Sequence, residues 1–174
     1  LERAGYPQYE ISNFAKPGFA SRHNLRYWLT QPYIGFGPGA HSDFGGRRYS
    51  FVRDLDAYIQ GVLQGGDIID ESEIIPKRER CGEYLMLRLR TVQGINEQEY
   101  RSTYFMDFAP LQARLEQFQA QGWAEQTDGR WHFTPQGFLL SNQLIGDLLE
   151  RQEQAHWEDL VAKSRHDHLD QGCP

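Results

Sequence analysis

Two histidines, two tyrosines, a tryptophan and three glycines fall within about twenty positions, in Ser21-Arg22-His23-Asn24-Leu25-Arg26-Tyr27-Trp28 and the following Tyr33-Ile34-Gly35-Phe36-Gly37-Pro38-Gly39-Ala40-His41-Ser42. An ordinary core strand supplies Val and Ile. This stretch supplies imidazoles able to ligate a metal, flat aromatic walls and backbone bare enough for a ligand to lie against. A plain structural use fits the same residues: a histidine among aromatics is commonly a hydrogen-bonded structural residue, and Gly-Phe-Gly-Pro-Gly is commonly a tight connection. A dinucleotide is not implied, because Ser42 stands where G-x-G-x-x-G needs its third glycine.

The elements around these residues follow from spacing. On a turn or short helix, His23 and Tyr27 (i, i+4) share a face. Residues 33–37 alternate bulky and small side chains, which predicts a strand with one stripped face. Pro38-Gly39 should end that strand and expose Ala40, His41 and Ser42 at its C-terminal edge, where ligands bind in α/β sheets.

Upstream, Leu1-Glu2-Arg3-Ala4-Gly5 reads as a helix end closed by glycine, and an opening on Leu1 in place of an initiator methionine leads us to expect residues before it. Residues 9–14 predict a short strand, with a turn at Lys16-Pro17-Gly18. Downstream, residues 47–51 predict another. Asp54 caps a helix over 55–64 with Tyr58, Ile59 and Val62 on its apolar face, and residues 67–75 read as a linker.

From Pro76 the pattern becomes helical. Cys81, Tyr84, Leu85 and Leu89 form one stripe, and Asn96-x-x-Glu99 starts a second helix carrying Tyr100 and Tyr104. A third helix over 110–121 buries Leu111, Leu115 and Phe118, each contributing roughly 1.5–3 kcal/mol. Asp128-Gly129 makes a hairpin of 123–126 and 130–133. Thr134-Pro135 then opens a helix with Phe138, Leu139, Ile145 and Leu148. That order is the order of a winged helix. After Leu149 only Trp157, Leu160 and Val161 serve as apolar anchors, so a solvated helix fraying into a disordered tail is expected.

Composition narrows the function classes. The 174 residues carry a formal net charge of −6 and are 39% hydrophobic, enough for a real core. The acidic balance speaks against nucleic acid. The third helix offers Arg114 as its one cation, so DNA readout is a distant reading. No apolar run is long enough to span a membrane, which leaves only peripheral membrane contact open. Of the two cysteines, Cys81 is expected in a helix core and Cys173 near an exposed end; neither belongs to a ligand cluster, and a reducing cytoplasm fits best.

Tyr9-Glu10-Ile11-Ser12-Asn13-Phe14-Ala15-Lys16-Pro17-Gly18, His23-Asn24-x-x-Tyr27-Trp28 and Gly35-x-Gly37-Pro38-Gly39-Ala40-His41-Ser42 together resemble the oxygen-independent coproporphyrinogen III oxidase-like radical-SAM family, in its HemW-type heme chaperone branch. The resemblance continues through Leu87-x-Leu89-Arg90 and Gly94-Ile95. It implies an α+β fold: residues 1–70 as the end of a partial radical-SAM (β/α) barrel with a connecting helix, 71–150 as a winged-helix-like C-terminal domain, and 151–174 as a polar tail. It further implies a parent protein with a four-iron, four-sulfur cluster and S-adenosylmethionine, held by a cysteine loop that this sequence lacks. The chain alone is therefore expected to do no radical chemistry.

Residue by residue, the resemblance implies that His23 ligates heme iron, that Asn24 orients the loop, and that Tyr27 or Trp28 covers the porphyrin. Ala40 and His41 fall where the oxidases approach S-adenosylmethionine, although His41 replaces an aliphatic residue there. The implied guest is heme or a porphyrinogen, and the implied partner a heme-accepting protein. The alternative is a true oxidase that decarboxylates porphyrinogen propionates. Arg22, Arg26, Arg47 and Arg48 would then be candidates to pair with the carboxylates, against the plainer use as solvated surface charges.

Overall fold

The computed structural model describes residues 1–170, with side chains described as far as Glu158. It is a mixed α/β structure, and its described strand pairs are all antiparallel. After a 3-10 turn at Glu2–Ala4 closed by Gly5 (φ 80°), strands β1 (Gln8–Glu10) and β2 (Asn13–Phe14) form a small hairpin. Helix α1 (Arg22–Trp28) follows. A three-stranded sheet in the order β3-β4-β5 then comprises β3 (His41–Phe44), β4 (Arg47–Phe51) and β5 (Ile69–Glu73), with α2 (Leu55–Gln64) between β4 and β5.

The remainder starts with α3 (Lys77–Arg88), β6 (Ile95–Asn96), α4 (Glu97–Tyr104) and α5 (Ala109–Ala120). The hairpin β7 (Ala124–Thr127) and β8 (Arg130–Phe133) leads into the short α6 (Pro135–Leu139) and the long α7 (Ser141–Asp170). Strand β6 adds to β8, giving the order β6-β8-β7. The hairpin turn is Asp128-Gly129, with φ of 51° and 72°, the doubly positive pair that a right-twisted two-residue turn requires.

Local caps set the helix starts. Asp54 accepts the Ala57 N–H at 2.8 Å, Asn96 accepts the Glu99 N–H at 2.8 Å, and Thr134 accepts the Gly137 N–H at 3.1 Å. The core gathers Cys81, Tyr84, Leu85 and Leu89 of the α3 segment with Tyr100, Leu111, Leu115, Phe118, Trp131, Phe133 and Leu148. The buried hydrophobic residues begin at Ile75.

Several sequence expectations change. Residues 33–37 are not a strand: only Tyr33 makes a bridge, to Asp43, because Gly37 (φ 101°) and Gly39 (φ 70°) bend the chain out of extended geometry. Ala40, His41 and Ser42 consequently lie at the start of an antiparallel strand and not at a C-terminal edge, and Ser42 is fully buried. Residues 67–75 are not a linker but supply β5, so the sheet crosses residue 70, the expected boundary. The helix expected after Thr134 is two, broken at Leu140, and Leu139 faces solvent. Helix α7 continues through residue 150 without interruption, while Cys173 and the end of the tail fall outside the described residues. The apolar face expected on α2 forms, yet Ile59 and Val62 stay exposed and α2 buries no residue.

Candidate functional site

Ser21 opens α1 by accepting the Asn24 N–H at 3.3 Å, and the helix ends after two turns at Leu29. Its seven residues carry His23, Asn24, Tyr27 and Trp28 together, so the four site residues expected from the sequence share one short element. His23 and Asn24 are exposed, Tyr27 is 39% exposed and Trp28 is half-buried. Being i and i+4, His23 and Tyr27 meet: their ring centroids lie 5.0 Å apart edge to face, and the Tyr27 hydroxyl sits 3.2 Å from His23 Nε2. Tyr33 backs Tyr27 in turn, at 4.7 Å between centroids.

Beneath this aromatic row lies a charged cluster that sequence reasoning missed. Asp43 bridges to Tyr33 through backbone bonds of 2.9 Å in each direction. Its carboxylate is forked by Arg80 of α3, with Arg80 Nη2 to Asp43 Oδ1 at 2.7 Å, and is approached by Arg48 Nη2 at 3.4 Å. Arg48 also pairs with Glu83 at 2.9 Å. Burial pushes the Asp43 carboxyl up, but the Arg80 hydrogen bonds and the Arg80 and Arg48 charges outweigh it and hold the group below its ordinary value. Burial, with the Asp43 charge adding to it, pushes the Tyr33 phenol up. Tyr27, Tyr33, Asp43, Arg48, Arg80 and Glu83 line one cleft of about 100 Å³. The available signal was Arg80 and Glu83 at i, i+3 on a helix whose apolar stripe dominates its pattern.

His41 lies elsewhere. It lines a second cleft, of about 360 Å³, with Arg48, Ser50, Glu71 and Glu73 on the face of the β3-β4-β5 sheet, and the residues lining it include none from α1. The bare backbone expected to admit a ligand at Gly35 is taken up by the chain itself. The Gly35 N–H donates to Ser42 Oγ at 3.1 Å, and a Cβ there would overlap the His41 carbonyl and Ala40. Of the four arginines considered for carboxylate binding, Arg48 is engaged by Asp43 and Glu83, Arg47 donates to Ser72 Oγ at 2.7 Å, and Arg26 donates to the Pro32 carbonyl at 3.3 Å. Nor does residue spacing announce the Glu99 hub. Its carboxylate receives Arg88 at 2.6 Å, the Tyr84 hydroxyl at 3.2 Å and Arg130 at 3.4 Å, and burial pushes the Tyr84 phenol up to about 12.

Among the described residues, no group of three or more His, Cys, Asp or Glu side chains is arranged to hold a metal ion, and no helix is long and apolar enough to cross a membrane. Cys81 is fully buried beside Gln152, and burial raises its thiol to about 11.

Residues 75–140 match the family model described as the HemN C-terminal domain. The Bacillus subtilis protein named heme chaperone HemW is 33% identical over 150 residues, covering 86% of this chain and 40% of that protein. The Escherichia coli protein of the same name is 30% identical, covering 83% and 38%. A bovine protein named radical S-adenosyl methionine domain-containing protein 1, mitochondrial, is 29% identical, covering 94% and 40%. The chain thus spans about two fifths of the length of these relatives. Among solved structures, the E. coli coproporphyrinogen III oxidase HemN, described as a radical SAM enzyme, superposes with a TM-score of 0.61 at 16% identity, over 85% of this chain and 38% of that one.

Proposed function

Because this chain carries the C-terminal domain of the HemN family and is homologous to the radical-SAM, HemN-like heme chaperones named HemW, we propose that it is part of a heme-handling protein and that α1 presents the heme contact. The observation that carries this reading is an exposed imidazole, backed by aromatic rings packed edge to face, on the helix bearing His23-Asn24-x-x-Tyr27-Trp28. A neutral imidazole is a good axial ligand for heme iron, and the Tyr27 and Trp28 rings offer apolar area to a porphyrin face. Asn24 serves through its backbone, closing the Ser21 cap that fixes where the helix begins. Heme here is cargo, bound and passed to an accepting protein, and the protein works in the cytoplasm.

In the parent, residues 1–74 complete the end of a radical-SAM barrel and residues 75–150 form a winged-helix-like domain. Ala40 and His41 approach S-adenosylmethionine there. The cluster chemistry does not fit the side chains of this chain, whose described cysteine is buried and protonated; the iron-sulfur ligands belong to the rest of the parent. The chaperone reading is preferred over the decarboxylating oxidase because Arg48, Arg47 and Arg26 are already engaged by groups of the chain.

Titration of ferric heme into the protein and its His23→Ala variant tests the reading. The expected result is loss of the histidine-type Soret band and at least about tenfold weaker binding, the cost of a ligand worth upwards of 1.4 kcal/mol. An unchanged band and affinity would remove His23 from the site.

A further inference from the structure

The His23 imidazole does not present both of its nitrogens freely. Nε2, the nitrogen farther from the backbone and the one a planar macrocycle can reach with least crowding, lies 3.2 Å from the Tyr27 hydroxyl. Tyr27 is in turn held against Tyr33, whose backbone is bridged to Asp43. The phenol is therefore supported from behind in the position that covers Nε2. If the hydroxyl donates, the imidazole is the Nδ1–H tautomer and its Nε2 lone pair is occupied; that tautomer is also the one that coordinates iron through Nε2.

From this contact, and resting on the reading of His23 as the heme ligand, we infer that Tyr27 is a positioning residue: its hydroxyl selects the ligating tautomer of His23 and competes with heme iron for Nε2. Ligation is then an exchange. The Tyr27 O–H···Nε2 hydrogen bond breaks, the Nε2–iron bond forms, and the phenol keeps its proton and turns its O–H to water, which its partial exposure permits. No redox change is involved. The competition keeps affinity below what a free imidazole on the same helix would give, which suits a protein that must hand its cargo on.

The test uses ferric heme titrated into the wild-type protein, Tyr27→Phe and His23→Ala, followed by the Soret position, the ferric spin state and stopped-flow association. Phe retains the ring packed edge to face against Tyr33 and removes only the hydroxyl. Tyr27→Phe is expected to bind heme about two- to tenfold more tightly, the range of one exposed hydrogen bond, with faster association and an unchanged histidine-type spectrum. A merely structural tyrosine would leave association unchanged or weaken it. Unchanged or weaker heme binding by Tyr27→Phe, alongside loss of the histidine-type spectrum in His23→Ala, overturns the exchange and leaves the heme reading intact. A His23→Ala spectrum identical to wild type overturns both. Circular dichroism of each variant confirms that α1 and the core are retained.

Discussion

Gly94 is, with Gly137, a glycine at which an added side-chain atom has least room. Its φ is +56°, and a Cβ would run into the Trp131 carbonyl and the His132 side chain, so β6 can add to β8 only with glycine at its entry. Gly94→Ala should destabilise the protein by about 3 kcal/mol or more, from combined backbone strain and overlap, as read by urea unfolding. A loss under about 1 kcal/mol would mean that the entry to β6 can shift. Cys81 makes a complementary case. With no exposure and its thiol at about 11, it should resist alkylation at mildly alkaline pH in the folded protein and react promptly in denaturant. Residues such as these are partly legible in the sequence. Apolar spacing places Cys81 in a core, and puts His23 and Tyr27 on one face. The contact of the tyrosine hydroxyl with Nε2 is not legible, because periodicity assigns a face and not a rotamer.

At the scale of elements, the Asp43–Arg80 fork and the Arg48–Glu83 pair tie the antiparallel sheet to α3. Burial raises the Asp43 carboxyl but its arginines lower it further, so the net folded value is depressed. A depressed carboxyl stabilises the fold at pH above its unfolded value near about 4, and that contribution fades as pH falls through the folded value. Thermal unfolding followed from neutral to strongly acidic pH should therefore show a loss of stability below about pH 4 that Asp43→Asn diminishes, the variant starting from a lower neutral-pH midpoint. Parallel curves for the two proteins would show that the fork carries no such linkage. Caps and the Asp128-Gly129 hairpin are readable because each depends on a few adjacent residues. Strand β5 is not: Ile-Asp-Glu-Ser-Glu lacks the β-branched alternation of a half-buried strand, all five residues are exposed, and only pairing with β4 makes it one.

For the whole molecule, the buried hydrophobic residues begin at Ile75, whereas α2 leaves Leu55, Ile59, Val62 and Leu63 open. A chain shortened to start at Ile74 should keep a cooperative thermal transition, its midpoint lowered by roughly a few degrees as the backbone bonds from Ile11 to Arg90 and from Val92 to Tyr9 disappear. Loss of cooperativity would place part of the folding nucleus in the residues before Ile74. The helix-rich half is legible because its core is built from local periodicity. The first half is less so, since β5 joins β4 only across the whole of α2 and the apolar face of that helix is covered at Tyr58, by Phe51, while Ile59 and Val62 stay exposed. One arrangement links the two. The Ser21 N–H donates to the Tyr9 hydroxyl at 3.4 Å, and the Tyr9 carbonyl accepts from the Val92 N–H beyond α3; at the far end of α1, Tyr27 leans on Tyr33 and so on the fork at Arg80. A two-turn rod held at both ends in this way is no free lever: a shift of the first hairpin at Tyr9, or of α3 through the fork, is passed on to the His23 imidazole by groups that never touch it.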